Sequence, residues 1–84
     1  TPTGIALARD GSLLVADSRN HRIRRVTPGG RVSTLAGSGA GDADGPVASA
    51  TFRFPCGVAV GSDGAIYVAD TGNHRIRRIR DGVV

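Results

Sequence analysis

The 84-residue chain is long enough for one small domain at most, and folding at this size removes only roughly 60–65% of the unfolded chain's surface from water. Its formal net charge of +4, from 11 Arg and seven Asp, favours solubility and acidic partners but does not by itself indicate nucleic acid. The single Cys excludes an internal disulfide, the short apolar runs exclude a membrane-spanning helix, and no signal peptide is visible.

Residues 1–37 predict four short antiparallel strands. The first, "GIALA" (4–8), alternates bulky residues with Ala and runs into Asp10-Gly11, a strong hairpin-turn pair. The next three are "SLLVAD" (12–17), "RIRRV" (22–26) and "RVSTLAG" (31–37), separated by an Asp-x-x-Asn turn and by "TPGG". We therefore treat residues 1–37 as one structural unit.

Residues 38–54 predict a connection between two such units. The first half is rich in Gly and Asp, and the second half can form one helical turn because Pro46 suits a first helical position. Phe52 and Phe54 are expected to anchor the chain where it enters the next strand. The stretch Asp42-Ala-Asp44-Gly45 hints at calcium, but no late bidentate acid follows, so we favour a simple capped turn.

Residues 55–84 repeat the first unit. An offset of 53 positions aligns residues 2–26 with 55–79 without a gap, and 14 of these 25 positions are identical. The second unit therefore predicts strands at 57–61, 65–70 and 75–79, but its outer strand is incomplete because no counterpart of residues 33–54 follows. Four antiparallel strands per roughly 40–50 residues, repeated, indicate an all-β fold of β-propeller blades.

The stretch "GVAVGSDGAIYVADTGNHRIRRI" (57–79) closely resembles the NHL repeat, and "GIALARDGSLLVADSRNHRIRRV" (4–26) carries the same elements. The third residue of the Asn-His-Leu signature is Arg here, in Asn20-His21-Arg22 and Asn73-His74-Arg75. The resemblance implies blades of a propeller that commonly has six. It also implies a binding scaffold for proteins or RNA, with one related enzyme group being a metal-dependent lyase that acts on peptides.

About two blades per chain do not close a propeller, which needs about 4–8. One molecule would leave an apolar blade face open on each side, and exposed patches of that kind favour association. We therefore expect a homo-oligomer, with a trimer of two-blade chains favoured for a six-blade ring, or further blades of a longer chain.

The repeated polar phrase Asp-x-x-Asn-His-Arg could be a catalytic or metal site, or a structural element of each blade. A catalytic centre needs unlike groups that converge on one substrate, whereas repeated sets are displaced from one another by one blade rotation. We favour a structural repeat motif, in which Asp accepts backbone N–H groups, Asn takes the left-handed turn conformation, neutral His bonds between layers, and Arg pairs with Asp. The residues concerned are Asp17, Asn20, His21, Arg22, Asp70, Asn73, His74 and Arg75.

We predict no catalytic residue, cofactor or metal ligand. A metal site formed by several His of a ring is the alternative, but the nearest His–Asp spacing is not a standard ligand pattern. Cys56 is expected to be a small buried apolar residue because no neighbouring base is visible.

The arginines of the third strands form a possible binding belt towards the rim of each blade. The favoured interpretation is a solvated rim in which the arginines form ion pairs. The alternative is a basic surface that binds acidic proteins or RNA. RNA is disfavoured because exposed aromatic residues for stacking are nearly absent. Including three positions that differ between the copies, the candidate surface comprises Arg9, Arg19, Arg24, Arg25, Tyr67, Arg77 and Arg78.

The function predicted from the sequence is a non-enzymatic propeller scaffold that self-assembles or belongs to a longer propeller and mediates protein binding. The alternatives are an RNA-binding propeller and a metal-dependent peptide lyase-like enzyme. Membrane association is not expected.

Overall fold

A computed structural model describes residues 2–84, with side chains from residue 4 onward. The first sheet has strand order β1-β2-β3-β4 and the second has order β5-β6-β7, with every neighbouring pair antiparallel. The strands are β1 Pro2–Leu7, β2 Leu13–Asp17, β3 Arg22–Val26, β4 Val32–Ala36, β5 Pro55–Val60, β6 Ile66–Asp70 and β7 Arg75–Ile79. Two short 3₁₀ turns, Ser18–Asn20 and Thr71–Asn73, join the second and third strands of each sheet. The all-β prediction is confirmed.

The first hairpin of each sheet closes through an Asp-Gly pair, as the sequence predicts. The Ser12 N–H donates to Asp10 Oδ1 at 2.9 Å, and the Ala65 N–H donates to Asp63 Oδ1 at 3.0 Å. Gly11 and Gly64 have φ of +89° and +84°, a region that side-chain-bearing residues rarely adopt. The two glycines therefore set the turn in which each Asp caps the following strand.

The two sheets pack face to face as adjacent blades, and their first strands approach most closely. A Cβ placed on Gly4 would lie 2.8 Å from the Cys56 carbonyl oxygen and 2.9 Å from the Gly57 Cα. Only a residue without a side chain allows this approach of backbone to backbone. Gly57, the counterpart of Gly4, has only an ordinary contact at 3.5 Å, to the Ala69 Cβ.

The core lies between the sheets and includes one residue of the linker. Its buried members are Ala16, Ile23, Ala36, Phe52, Val68 and Ile79. Phe52 is fully buried, so the connection between the sheets is part of the core and is not a surface loop.

The other side of each sheet is open. On the first sheet, Ile5 and Leu7 are 66% and 67% exposed, and on the second sheet Ile76 is 70% exposed. Ile23, which occupies in the first sheet the position of Ile76, is fully buried. We call these surfaces the open face of the first sheet (Ile5, Leu7, Leu13, Val15, Arg24, Val26, Val32) and the open face of the second sheet (Gly57, Ala59, Tyr67, Ala69, Ile76).

The linker and the last residues of the chain bind each other. One turn starts at Pro46, whose carbonyl accepts the Ala50 N–H at 2.9 Å. The Val84 N–H donates to the Gly45 carbonyl at 2.8 Å, and the Val47 N–H donates to the Gly82 carbonyl at 2.9 Å. Residues 80–84 thus turn towards the linker, and within the described residues no strand pairs with the outer edge of β7. No described helix is long and apolar enough to cross a membrane.

Candidate functional site

The repeated polar phrase forms the same tight turn in both sheets. The Asn20 amide donates to Asp17 Oδ2 at 3.0 Å, and the Asn73 amide donates to Asp70 Oδ2 at 2.7 Å. The prediction that Asn takes the left-handed conformation is wrong, because His21 and His74 hold it, with φ of 54° and 55°. The Asn side chain turns back to Asp and keeps its backbone in the 3₁₀ turn, so the chain reverses at the next residue.

His21 joins the first sheet to the linker. Its Nδ1 accepts the Phe54 N–H at 3.0 Å, and the two rings meet edge to face with centroids 4.5 Å apart. This hydrogen bond and the ring contact hold the end of the linker against the first sheet. His74 holds the same backbone conformation but is exposed.

Arg77 is at the centre of the most extensive polar network in the described residues. Its Nη1 donates to Asp70 Oδ2 at 2.7 Å and to the Thr51 carbonyl at 3.0 Å, and its Nη2 donates to the Ala43 carbonyl at 2.9 Å. Nε and Nη2 both donate to Asp44 Oδ1, at 3.1 and 2.6 Å. The guanidinium also lies over the Phe52 ring, 5.0 Å from its centroid.

We call this arrangement the Arg77 socket, formed by Ala43, Asp44, Thr51, Phe52 and Asp70. Asp70 is fully buried and also accepts the Arg53 N–H at 2.7 Å. The socket joins two parts of the linker, residues 43–44 and 51–53, to the second sheet. These partners also compensate the buried charges of Arg77 and Asp70, which would otherwise be costly.

Two predictions about the arginines are wrong. Arg77 was expected on an exposed basic belt, but it is only 4% exposed because the linker covers it. Arg75 was expected to pair with Asp, but it is exposed and Asp70 binds Arg77 instead. Alternation along β7 places residues 75 and 77 on the same face, and the linker contacts Arg77 there while Arg75 stays exposed.

Arg24 is the counterpart of Arg77 in the first sheet, and its environment differs. It is paired with Val15 in the register of β2 and β3, as Arg77 is paired with Val68 in β6 and β7. Its Nε is buried and has no hydrogen-bond partner among the described residues. The two identical sequence positions thus form one complete and one incomplete socket.

The remaining candidate surface residues do not form one surface. Arg9 donates to the Ser62 carbonyl, and Arg25 pairs with Asp10, where both arginines border a cleft between the hairpins. Arg75 and Arg78 border a separate cleft of about 530 Å³ along the outer edge of β7, together with Asp44. Arg22 donates its Nε–H to the Asn20 carbonyl at 3.2 Å, Arg19 is exposed, and Tyr67 is half-buried on the open face of the second sheet.

The described part of the chain contains no cluster of side chains that could bind a metal ion. No three His, Cys, Asp or Glu side chains lie together there. Asp44, which lies in the stretch that hints at calcium, pairs with the guanidinium of Arg77 at 2.6 Å. Cys56 was expected to be buried but is exposed, with its Sγ 2.5 Å from Thr71 Oγ1.

The NHL repeat family model matches residues 1–26 and 52–79, which together cover more than half of the chain. The chain belongs to the NHL repeat family. The NHL match covers both polar turns and all strands except β4, so the predicted family resemblance is confirmed. The linker residues 38–51, which supply Ala43, Asp44 and Thr51 to the Arg77 socket, lie outside the match.

Similar proteins are much longer than this NHL chain. It is 45% identical over 80 residues to the protein SUPPRESSOR OF QUENCHING 1, chloroplastic, of Arabidopsis thaliana, an alignment with 93% of this chain and 8% of that protein. It is 30% identical to a crystal structure of an auxiliary nutrient binding protein from Bacteroides thetaiotaomicron, with a TM-score of 0.83 over 94% of this chain and 22% of that one.

A streptogramin B lyase structure has a TM-score of 0.71 and 21% identity over 95% of this chain and 23% of the lyase chain. At that identity the likeness shows the fold alone. The neighbours establish β-propeller blades, and they include both a binding protein and an enzyme.

Proposed function

We propose that this NHL chain is a non-enzymatic scaffold that associates head to tail with further copies of itself and then mediates protein binding. One observation carries the proposal: the chain has two copies of each half of a blade interface, and one copy of each half is used within the molecule while the other copy is open. The occupant that we propose for each open face is a second copy, and further blades of a longer chain are the alternative.

The two halves are related by the 53-residue offset. The second sheet packs on the first through Val58 and Val68, and their counterparts Ile5 and Val15 lie on the open face of the first sheet beside Leu7. The first sheet packs on the second through Gly4 and Ile23, and their counterparts Gly57 and Ile76 lie on the open face of the second sheet. One copy's second sheet therefore fits another copy's first sheet, and three copies would close a six-blade ring.

The energy of such an interface is modest. Full burial of an aliphatic side chain contributes about 1.5–3 kcal/mol, so Ile5, Leu7 and Ile76, which are about two-thirds exposed, each contribute about 1–2 kcal/mol when covered. Association costs about 4 kcal/mol or more in lost translational and rotational freedom. We therefore expect reversible association that depends on protein concentration.

Light scattering tests the proposal with a matched pair of chains. The unsubstituted chain should exceed 8.6 kDa as concentration rises. Gly57→Ala should stay monomeric with an unchanged unfolding midpoint, because its Cβ makes only an ordinary 3.5 Å contact in the free chain but would strike the first strand of a docked copy. A monomer at every concentration, or equal assembly by Gly57→Ala, overturns the proposal.

RNA binding and metal-dependent peptide lysis are the alternative functions. The exposed Arg75 and Arg78 beside the β7 cleft support RNA binding, whereas lysis has only the fold likeness to a lyase in its favour. A complex with single-stranded RNA that weakens steeply with salt would favour the first alternative. Stoichiometric metal in the purified protein would favour the second.

A further inference from the structure

We propose that Arg24 anchors a second linker site on the open face of the first sheet. Its occupant is an acidic NHL linker segment from a neighbouring blade, with the chemistry of residues 41–52 of this chain. The site rests on the proposed function only in that another blade covers the open face. The copies of this chain do not supply the segment, because each linker is already bound by its own Arg77, so a further blade with a free linker supplies it.

The Arg77 socket is the internal template. There a linker segment gives one guanidinium a carboxylate oxygen from Asp44, backbone carbonyls from Ala43 and Thr51, and the face of the Phe52 ring. All the donors of Arg77 are satisfied when Asp70 is included. A planar group with five donors in fixed directions is suited to several acceptors on one segment at once.

Arg24 has the same position in its sheet but lacks such a segment. It follows the same Asp-x-x-Asn turn and is held in the same register. Its Nε is already removed from water without a hydrogen-bond partner among the described residues, a state that native proteins rarely leave uncompensated. If the Arg24 side chain turns towards an incoming acceptor, the Nε–H gains a hydrogen bond that neither water nor the protein supplies in the free chain.

The geometry selects the occupant. Arg24 lies between Val15 and Thr34 on the open face, so covering that face with another blade would bury its charge. A buried guanidinium then needs a carboxylate and further acceptors, and residues 41–52 are the segment that supplies them to Arg77. A linker already engaged by its own Arg77 cannot serve, so the second site needs a further segment of this kind.

A peptide with the sequence of residues 38–54 is the probe, added to the full-length Gly57→Ala chain. We expect saturable binding by fluorescence anisotropy, with a shift of the Arg24 Nε–H signal in ¹H–¹⁵N spectra. Arg24→Ala should weaken binding about tenfold or more, because charge-assisted hydrogen bonds are lost. Arg31→Ala, which removes the same charge from an exposed turn, should change it by less than about twofold.

A matched pair of peptides tests the chemistry of the occupant. The peptide with Asp44→Asn should lose most of its affinity. Asp42→Asn should not, since Asp42 is exposed and its side chain makes no hydrogen bond to the described residues. Equal loss from both peptides, unchanged binding by Arg24→Ala, or no saturable binding overturns the proposal. Assembly by the Gly57→Ala chain instead overturns the proposed function. The comparison of peptide binding between Arg24→Ala and Arg31→Ala still tests the Arg24 site in that case.

Discussion

Replacing Arg77 by Ala should destabilise the protein by about 3 kcal/mol. The change removes five hydrogen bonds and leaves the fully buried Asp70 without its cation. Breaking a buried ion pair in this way costs about 3–5 kcal/mol. Asp70 keeps the Arg53 N–H and the Asn73 amide as donors, which places the loss at the low end of that range.

A loss of about 3 kcal/mol is a large part of the total free energy of unfolding. At about 0.05–0.15 kcal/mol per residue, a chain of 84 residues has roughly 4–12 kcal/mol of stability. Urea unfolding followed by far-ultraviolet circular dichroism measures the change, with the Gly57→Ala chain as background to limit association. The variant should unfold at a clearly lower urea concentration and should lose the linker contacts first.

Arg24→Ala is the control for this prediction because it removes the same residue from the same position of the other sheet. We expect a change within about 0.5 kcal/mol, since its Nε has no hydrogen-bond partner among the described residues. If the two variants lose the same free energy of unfolding, the distinction between a complete and an incomplete socket is refuted.

Three further predictions concern single residues. Gly4→Ala should lower stability by about 1–3 kcal/mol in urea unfolding, because its Cβ would overlap the backbone of β5, and a neutral result would contradict the close approach. His21→Ala should lower it by about 1 kcal/mol and His74→Ala by less than about 0.5, because only His21 bonds the linker, and equal effects would argue against that role. Hydrogen bonds from the Ser12 backbone N–H, and then from its side chain, lower the pKa of Asp10 from its usual value. The stabilisation by Asp10 is therefore present above the unfolded-state pKa and is lost as pH falls through the lower folded-state pKa. Asp10→Asn should flatten that acid loss in unfolding midpoints, and an unchanged pH profile would contradict this prediction.

The sequence predicted the strands well because each depends on local signals. Alternating apolar residues and two Asp-Gly pairs set the hairpins, and the 53-residue repeat set the number of blades. The conformation of the last residues was harder to predict, because residues 80–84 bind the linker through backbone hydrogen bonds that no side-chain pattern indicates.

The site was less predictable because equivalent residues have different neighbours. Arg24 and Arg77 are identical in local sequence, yet only Arg77 is covered by the linker. The useful signal was present in the alternation along β7 and in the acidic linker residue Asp44, whose pairing depends on tertiary contact. The exchange of conformational roles between Asn and His could not be read either, since both residue types enter the left-handed region.

Isoleucine-methyl NMR as a function of protein concentration tests most directly whether the two open faces bind each other. We expect the Ile5 and Ile76 methyl signals to shift together as concentration rises, because the two residues lie on the two halves of the proposed interface. The buried Ile23 and Ile79 should stay nearly unchanged, since their contacts are already made within one molecule. If Ile5 and Ile76 do not respond to concentration, or respond no more than the buried pair, the chain does not associate through its open faces and the account is wrong.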